Sequence, residues 1–366
     1  MSTPEIHHLF HAGIADHSFS SDHTTLAVTR DSTIDLYARS GNTYTHRDTL
    51  LGHDKLVTGV DIAPRSGKIV TCSQDRNAYV WEQSNGTWKP TLVLLRINRA
   101  ATSVRWSPSE DKFAVGSGAR VAAVCYFESE NDWWVSKHLK KPLRSTVTCV
   151  AWHPNSVLLG VGSTDGHARV LSAFVKGVDE RPAPSAWGER LPFNTVCGEF
   201  LNQTAGWVRG VGFSPSGDAM AFCGQDSTVT VVYPGGEGEA PRSVVSVNAV
   251  GLPWADLLWV GEGEIVCAGY DCAPYLLRGD ASGWSVSHSL DSTAASKGAQ
   301  PSGEESALNM FKQMDLKGTS RRDDTKLKSV HQNTITKVRS YEVDGQGNVS
   351  RISTSGVDGR VVVWDL

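Results

Sequence analysis

Short apolar segments alternate with polar turns along most of the chain. In each unit a Val/Ile-rich segment is followed by a Ser-Pro or similar turn, an apolar strand, a tight polar turn and another apolar strand. The clearest copy runs from His53 to Glu82. Other copies span residues 103–127, 149–171, 210–233 and 338–366, and weaker ones span 18–37 and 253–277. Several short strands with Gly- or Asp-containing turns predict a small antiparallel sheet in each unit.

The polar turn before the last strand of each unit sets the period. It falls at Asp31, Asp75, Arg120, Asp165, Asp226, Asp271 and Asp358. The successive steps are 44, 45, 45, 61, 45 and 87 residues, so four agree within one residue and two exceed 45 by 16 and 42. Repeats of about 40–45 residues are typical of a WD-repeat β-propeller. We therefore predict an all-β fold, a seven-bladed WD-repeat propeller that forms a single domain over residues 1–366.

Two units contain a His, a Thr, an Asp and a Trp at the spacing of a buried hydrogen-bonding tetrad. They are His53, Thr71, Asp75 and Trp81 in the second unit, and His331, Thr354, Asp358 and Trp364 in the seventh. A buried turn carboxylate needs donors, which the imidazole N–H and the Thr hydroxyl can supply. A His–Asp–Thr group could also be a catalytic triad. Its recurrence at the same offsets in two units favours a structural role.

The two ends of the sequence predict how the ring closes. Two residues follow Trp364, so the seventh unit has no sequence for an outermost strand. Ile6 to Phe10 precede the first repeat and are long enough to supply it. We expect residues 1–10 to close the propeller by pairing with the last unit, because this pairing removes open sheet edges.

The longer insertion, about residues 284–330 between repeats six and seven, contains a predicted helical arm over about 303–317. Ser302 and Glu305 form a capping box, and Gly318 ends the helix. The apolar side chains recur at i, i+3, i+4 and i+7, namely Ala307, Met310, Phe311 and Met314. A helix this short needs a partner for its apolar face. That partner is either the rim of the propeller or a groove in another protein.

Two further segments are candidates for contacts with partners. The shorter insertion, within residues 172–206, contains Trp187 and Phe193, which are costly to leave in water and either fold back on the rim or meet a partner. The run from Lys137 to Arg144 carries four cations in eight residues, namely Lys137, Lys140, Lys141 and Arg144. Such a run is usually a solvated face. In a slightly acidic protein it could also attract an acidic partner.

Composition and charge exclude several classes of function. A net charge of −4 argues against binding to nucleic acid, and no apolar stretch reaches the roughly 18 residues of a membrane span. The seven cysteines form no CxxC pair and the first ten residues show no secretory signal, so we expect a cytoplasmic protein with free thiols. Nucleotide-binding, hydrolase and zinc-protease motifs are absent from the sequence. The histidines near the start lack further ligands at metal-site spacing, so no catalytic residue, metal or cofactor is predicted.

Several sequence segments are more specific than the repeat pattern requires. IVTCSQDRNAYVWE, VCYFESENDWWVSKHLKKPLRSTV, WGERLPFNTVCGEF, MDLKG and GVDGRVVVWDL resemble the subunit 1 family of the actin-related protein 2/3 complex. The resemblance covers about residues 50–366, whereas the first fifty residues match only loosely. It implies a non-catalytic scaffold subunit of the cytoplasmic actin cytoskeleton, at actin patches or the cell cortex. The implied partners are the other subunits, including the two actin-related proteins, the actin filament and acidic nucleation-promoting activators.

The resemblance also assigns a role to the long insertion. In that family the insertion carries a projecting helix associated with filament and activator contacts, which maps to Ser306–Leu316 here. No cofactor is implied, because ATP belongs to the actin-related subunits. Two alternatives remain: a WD-repeat substrate receptor or adaptor of another assembly such as a ubiquitin ligase, and an enzyme that uses the central channel. Trp81-Glu82 and Trp364-Asp365 lack the Arg two residues later that many ligase-recruited propellers carry.

Overall fold

The structure is a computed structural model that describes residues 3–189, 191–236, 238–249, 251–291, 327–345 and 347–366. In these ranges 28 strands form seven four-stranded antiparallel sheets, and no residue is helical. The predicted all-β, seven-bladed propeller is therefore confirmed. The helix predicted over 303–317 lies outside the described residues.

The first four blades follow the order of the chain from the inner to the outer strand. Blade 1 contains β2 (His17–Phe19), β3 (Thr25–Arg30), β4 (Thr33–Ser40) and β5 (Thr43–Leu50). Blade 2 contains β6 (Val57–Ile62), β7 (Ile69–Ser73), β8 (Ala78–Ser84) and β9 (Thr87–Val93). Blade 3 contains β10 (Ala101–Trp106), β11 (Lys112–Ser117), β12 (Val121–Glu128) and β13 (Trp133–Leu139). Blade 4 contains β14 (Val147–Trp152), β15 (Leu158–Ser163), β16 (His167–Ser172) and β17 (Val196–Leu201).

The last three blades repeat this order, except that the outer strand of the seventh is β1, the first strand of the described chain. Blade 5 contains β18 (Val208–Phe213), β19 (Met220–Gly224), β20 (Thr228–Tyr233) and β21 (Ser243–Asn248). Blade 6 contains β22 (Trp254–Gly261), β23 (Glu264–Gly269), β24 (Tyr275–Asp280) and β25 (Gly283–Ser289). Blade 7 contains β26 (Ile335–Val343), β27 (Val349–Gly356), β28 (Arg360–Asp365) and β1 (Glu5–His8). The sequence boundary of the long insertion at residue 284 thus falls inside β25.

Pairing between β1 and β28 joins the two ends of the described chain. Glu5 lies opposite Val363 in this antiparallel pair, and the Leu9 amide donates to the Gly359 carbonyl at 3.1 Å. Gly359 has a φ of +72°, and a Cβ on it would lie 1.8 Å from the Phe10 carbonyl oxygen. Only glycine fits here, since both the backbone conformation and the close approach exclude a side chain.

A threonine at the second position of four innermost strands ties neighbouring blades together. Thr58 donates to the Ala101 carbonyl at 3.0 Å, and Thr102 donates to the Val147 carbonyl at 2.7 Å. Thr148 makes the same bond to β18, and Thr336 does so to Ile14 at 2.7 Å. Apolar clusters fill the spaces between the sheets, as where Val70 and Val80 of blade 2 meet Val104 and Val115 of blade 3. Each blade therefore buries its faces on its neighbours.

Candidate protein-binding surfaces

The structure brings the four residues of the second unit into one buried chain of hydrogen bonds. The Trp81 indole Nε1 donates to Thr71 Oγ1 at 3.0 Å. Thr71 Oγ1 lies 2.9 Å from His53 Nε2, and His53 Nδ1 lies 2.7 Å from Asp75 Oδ2. Asp75 also accepts from the Asp54 amide at 3.1 Å. This order requires a neutral imidazole that donates through Nδ1, and burial lowers the pKa of His53 accordingly.

The seventh unit repeats this geometry. Trp364 Nε1 lies 2.8 Å from Thr354 Oγ1, which lies 2.8 Å from His331 Nε2. His331 Nδ1 lies 3.1 Å from Asp358 Oδ1. Burial alone would raise the pKa of Asp358, but the His331 hydrogen bond and two backbone amides lower it below its usual value.

Both tetrads are closed to a substrate. The side chains of His53 and His331 are 0% exposed, and Thr71 and Thr354 are fully buried as well. Because each Thr hydroxyl is enclosed, a substrate has no access to it in this structure. The geometry therefore supports the structural interpretation of these residues, because a fully satisfied buried network fixes the arrangement of its strands.

Charged side chains from several blades meet in the central channel, which sequence reasoning missed. Asp16 is fully buried and accepts from Arg105 at 2.9 Å and from Arg339 at 2.9 Å. Arg339 also reaches Asp61 at 2.6 Å, and Asp256 accepts from the Val338 amide at 3.2 Å. The partners are up to 323 residues apart in sequence, and no local pattern marks them.

Ion pairs and burial fix the charge states of two groups in the channel network. Burial would raise the pKa of Asp16, but Arg105 and Arg339 lower it far below its usual value, so the carboxylate stays ionised. The neighbouring His17 has its pKa lowered to about 3 by burial and by Arg339, so it stays neutral. Among the described residues no cluster of three or more His, Cys, Asp or Glu could hold a metal ion.

A basic cleft opens on blade 3 where the predicted basic run leaves β13. The cleft has a volume of about 530 Å³. Its cationic wall contains Arg96, Arg120 and Lys140, its apolar wall contains Ile97 and Leu143, and its lining includes no Asp or Glu. Such a site fits an acidic segment that also carries an apolar side chain, because unpaired cations attract carboxylates while the apolar wall excludes water.

The four predicted basic residues do not all lie at the basic cleft. Lys140 lines the cleft, and Lys141 and Arg144 are exposed in the loop that follows it. Lys137 lies on β13 instead, with its Nζ 5.4 Å over the ring of Phe193. Arg120 was visible in the sequence as the one turn position without an Asp, whereas Arg96 had no sequence signal.

The shorter insertion folds back onto the propeller. Trp187 is 3% exposed, and its indole Nε1 donates to the Gly217 carbonyl of blade 5 at 2.8 Å. Asp179 forms a buried ion pair with Lys112 of β11. Of the two outcomes that the sequence left open for Trp187, the structure shows contact with the rim.

The other predicted binding residues are in the long insertion. Ala307, Met310, Phe311 and Met314 lie outside the described residues. The described chain stops at Asp291 and resumes at Leu327, close to His331 of the seventh tetrad. Within the part of the chain that the structure describes, no helix could serve as a membrane span.

The repeated sheets and their tetrads define the class of protein, a WD-repeat β-propeller. The family model of the WD domain, G-beta repeat, matches residues 44–82 and 135–172. The first match contains the tetrad of blade 2. The second runs from β13 to β16, where Arg169 pairs with the turn residue Asp165 at 3.0 Å.

Similar proteins cover the whole chain and identify the family. The chain is 50% identical over 381 residues to actin-related protein 2/3 complex subunit 1 of Schizosaccharomyces pombe, with 100% of both chains covered. It is 44% identical to subunit 1A-B of Xenopus laevis, over 99% of this chain and 96% of that protein. It is 43% identical to subunit 1 of Saccharomyces cerevisiae, over 100% of this chain and 98% of that protein. The chain belongs to the actin-related protein 2/3 complex subunit 1 family, which confirms the resemblance seen in the sequence.

Proposed function

We propose that this chain is a non-catalytic scaffold subunit of an actin-related protein 2/3 complex and supports actin filament nucleation and branching. The observation that carries the proposal is the full-length identity of 50% with a protein named as subunit 1 of that complex. The channel and the tetrads are consistent with it, because their acids and bases pair with one another. A rigid ring of this kind offers a large surface for other proteins, and function has to be argued from that surface because the fold alone does not decide it.

The proposed partners are the other subunits, including the two actin-related proteins, together with the mother filament and acidic activators. The proposed location is therefore the cytoplasmic actin cytoskeleton, at actin patches or the cell cortex. Affinity purification of the tagged full chain from cells tests this assignment. We expect two actin-like ATPases to co-purify in stoichiometric amounts. Recovery of a ubiquitin-ligase adaptor in their place would favour the substrate-receptor alternative.

The basic cleft is the proposed contact for an acidic activator segment. Reversing Lys140 and Lys141 to Glu should weaken binding of an acidic activator peptide to the assembled complex, and added salt should shrink the difference from wild type because it screens exposed charges. Arg47→Glu with Lys89→Glu is a matched control, since both residues are exposed on other blades. Equal loss in the control would mean that net charge, not the cleft, governs binding.

The helical arm is the proposed contact for the filament or the activator. Replacing Met310, Phe311 and Met314 with Ser removes its apolar stripe and should leave the melting temperature of the propeller unchanged. Branch density in a reconstituted assay should fall, because the stripe is expected to bury itself on a partner. Wild-type branching by this variant would remove the arm from the mechanism.

A further inference from the structure

An exposed aromatic surface lies at the opposite end of blade 3 from the basic cleft. It is formed where β12 ends and β13 begins, with Phe127 of β12 43% and Trp133 of β13 58% exposed. Large aromatic side chains left this open on a soluble protein mark an interaction site more often than chance.

The aromatic side chains form a fixed platform. The Trp134 ring lies 5.7 Å from the Phe127 ring and 5.2 Å from the buried Phe113 ring, measured between centroids. Trp133 lies on the opposite face of the sheet, because it pairs with Glu128 whereas Trp134 pairs with Phe127, and its indole Nε1 donates to Glu128 at 3.1 Å. A platform that is already ordered loses little entropy when a partner binds.

A groove beside the platform has an apolar wall. The groove has a volume of about 680 Å³ and is lined by Trp106, Phe127, Trp134 and Val178, among others. Trp106 is only 6% exposed, and its Nε1 has no hydrogen-bond partner among the described residues. That nitrogen is enclosed by the protein, so a bound segment would meet the apolar wall of the groove and not this N–H.

The charge around this surface is negative. Asp111 lines the groove, and Glu130 and Asp132 are exposed in the turn between β12 and β13. The two cations of the lining are already paired, Arg65 with Glu110 at 3.3 Å and Lys68 with Glu82 at 2.6 Å. We call the platform, the groove and these carboxylates the acidic corner.

The acidic corner and the basic cleft select partners of opposite charge. Ala122 pairs with Leu139 at the end near the cleft, and Glu128 pairs with Trp133 at the corner. The two pairs are six positions apart along β12, which is about 20 Å along a strand. An acidic segment that fits the cleft would be repelled at the corner.

We infer that the acidic corner docks a basic amphipathic segment of another subunit, one that combines Lys or Arg with a large apolar side chain. The apolar side chain enters the groove beside Trp134, and the cations meet the carboxylates of the turn. This inference rests on the proposed function, because it takes the partner from the same assembly.

Photo-crosslinking in the assembled complex identifies the occupant. A benzophenone amino acid replaces Phe127, which lines the groove and is 43% exposed, and the control carries it at Trp207, which is 52% exposed on blade 5. We expect the probe at position 127 to crosslink a Lys/Arg-rich segment of one other subunit, and the control probe not to reach that segment. A crosslink to an acidic segment, a crosslink to a second copy of this chain, or no crosslink would each overturn the inference.

Charge reversal tests the same surface without a probe. Glu130→Lys with Asp132→Lys should weaken retention of the crosslinked subunit about three- to tenfold in a salt wash, since each reversal replaces an attraction by a repulsion. The matched control is Asp48→Lys with Glu239→Lys, which changes the net charge equally at exposed sites of other blades. Wild-type retention in a complex that still contains both actin-related proteins would refute the docking site and leave the proposed function standing.

Discussion

Replacing Thr354 with Val tests whether the tetrad stabilises the propeller through its hydrogen bonds. Thr354 is fully buried, and its Oγ1 lies 2.8 Å from Trp364 Nε1 and 2.8 Å from His331 Nε2. Val has nearly the same shape, so the change removes the hydroxyl without opening a cavity. It leaves an indole N–H and an imidazole nitrogen buried without partners.

The expected loss follows from these two orphaned groups. A buried polar group deprived of its partner costs about 1–3 kcal/mol, so Thr354→Val should lower the free energy of unfolding by about 2–6 kcal/mol. Thr354→Ser keeps the hydroxyl and loses one methyl, for which we expect about 1 kcal/mol. The equivalent change at Thr71 should cost a similar amount, because its distances to Trp81 and His53 are 3.0 and 2.9 Å.

Urea unfolding followed by circular dichroism measures these differences, and a double-mutant cycle isolates the indole bond. In the Trp364→Phe variant the indole donor is already absent. Thr354→Val should therefore lower the free energy of unfolding by about 1–3 kcal/mol less in that variant than in wild type. If Thr354→Val lowers the free energy of unfolding no more than Thr354→Ser does, the hydrogen bonds of the tetrad do not stabilise the propeller.

Three further predictions concern closure of the ring and pH. Deleting residues 1–10 removes β1 and should lower the melting temperature sharply, and an unchanged value would contradict closure by this strand. Gly359→Ala should cost more than Gly41→Ala in a thermal melt: both positions have positive φ, but only at Gly359 would the Cβ strike backbone, the Phe10 carbonyl. Stability should fall as the pH drops from about 6.5 towards 3, because burial lowers the pKa of His17 to about 3 and the unfolded chain therefore binds more protons in this window. Melting temperatures measured across this range check the sign, and His17→Gln should reduce the loss.

The seven-bladed ring could be predicted from the sequence because the residues that indicate each blade lie close together within that blade. Asp75 and Asp358 occupy the turns that precede β8 and β28, so the spacing between such turns reports the spacing between blades. Arg120 keeps the same register without a carboxylate, and together with the basic run that contains Lys140 it was a local sign of the basic cleft. A Thr at the second position of an innermost strand, as at Thr58 and Thr102, is a further local signal of the repeat.

The channel and the acidic corner could not be predicted in this way. Asp16 and Arg339 are joined only when the ring closes, across 323 residues of sequence. The corner depends on where Phe127 and Trp134 lie relative to Asp111, which is set by strand register and by the shorter insertion, whose Val178 also lines the groove. Such contacts follow from the tertiary arrangement, so periodicity and composition carry no trace of them.

A reconstituted branching assay tests the central claim that this propeller works by holding other proteins together. The complex is assembled from purified subunits with and without the full chain, and branch density is measured with an activator and preformed filaments. The account predicts that branching is lost without the chain and restored when it is added back. Equal branching by the complex that lacks it would contradict the account.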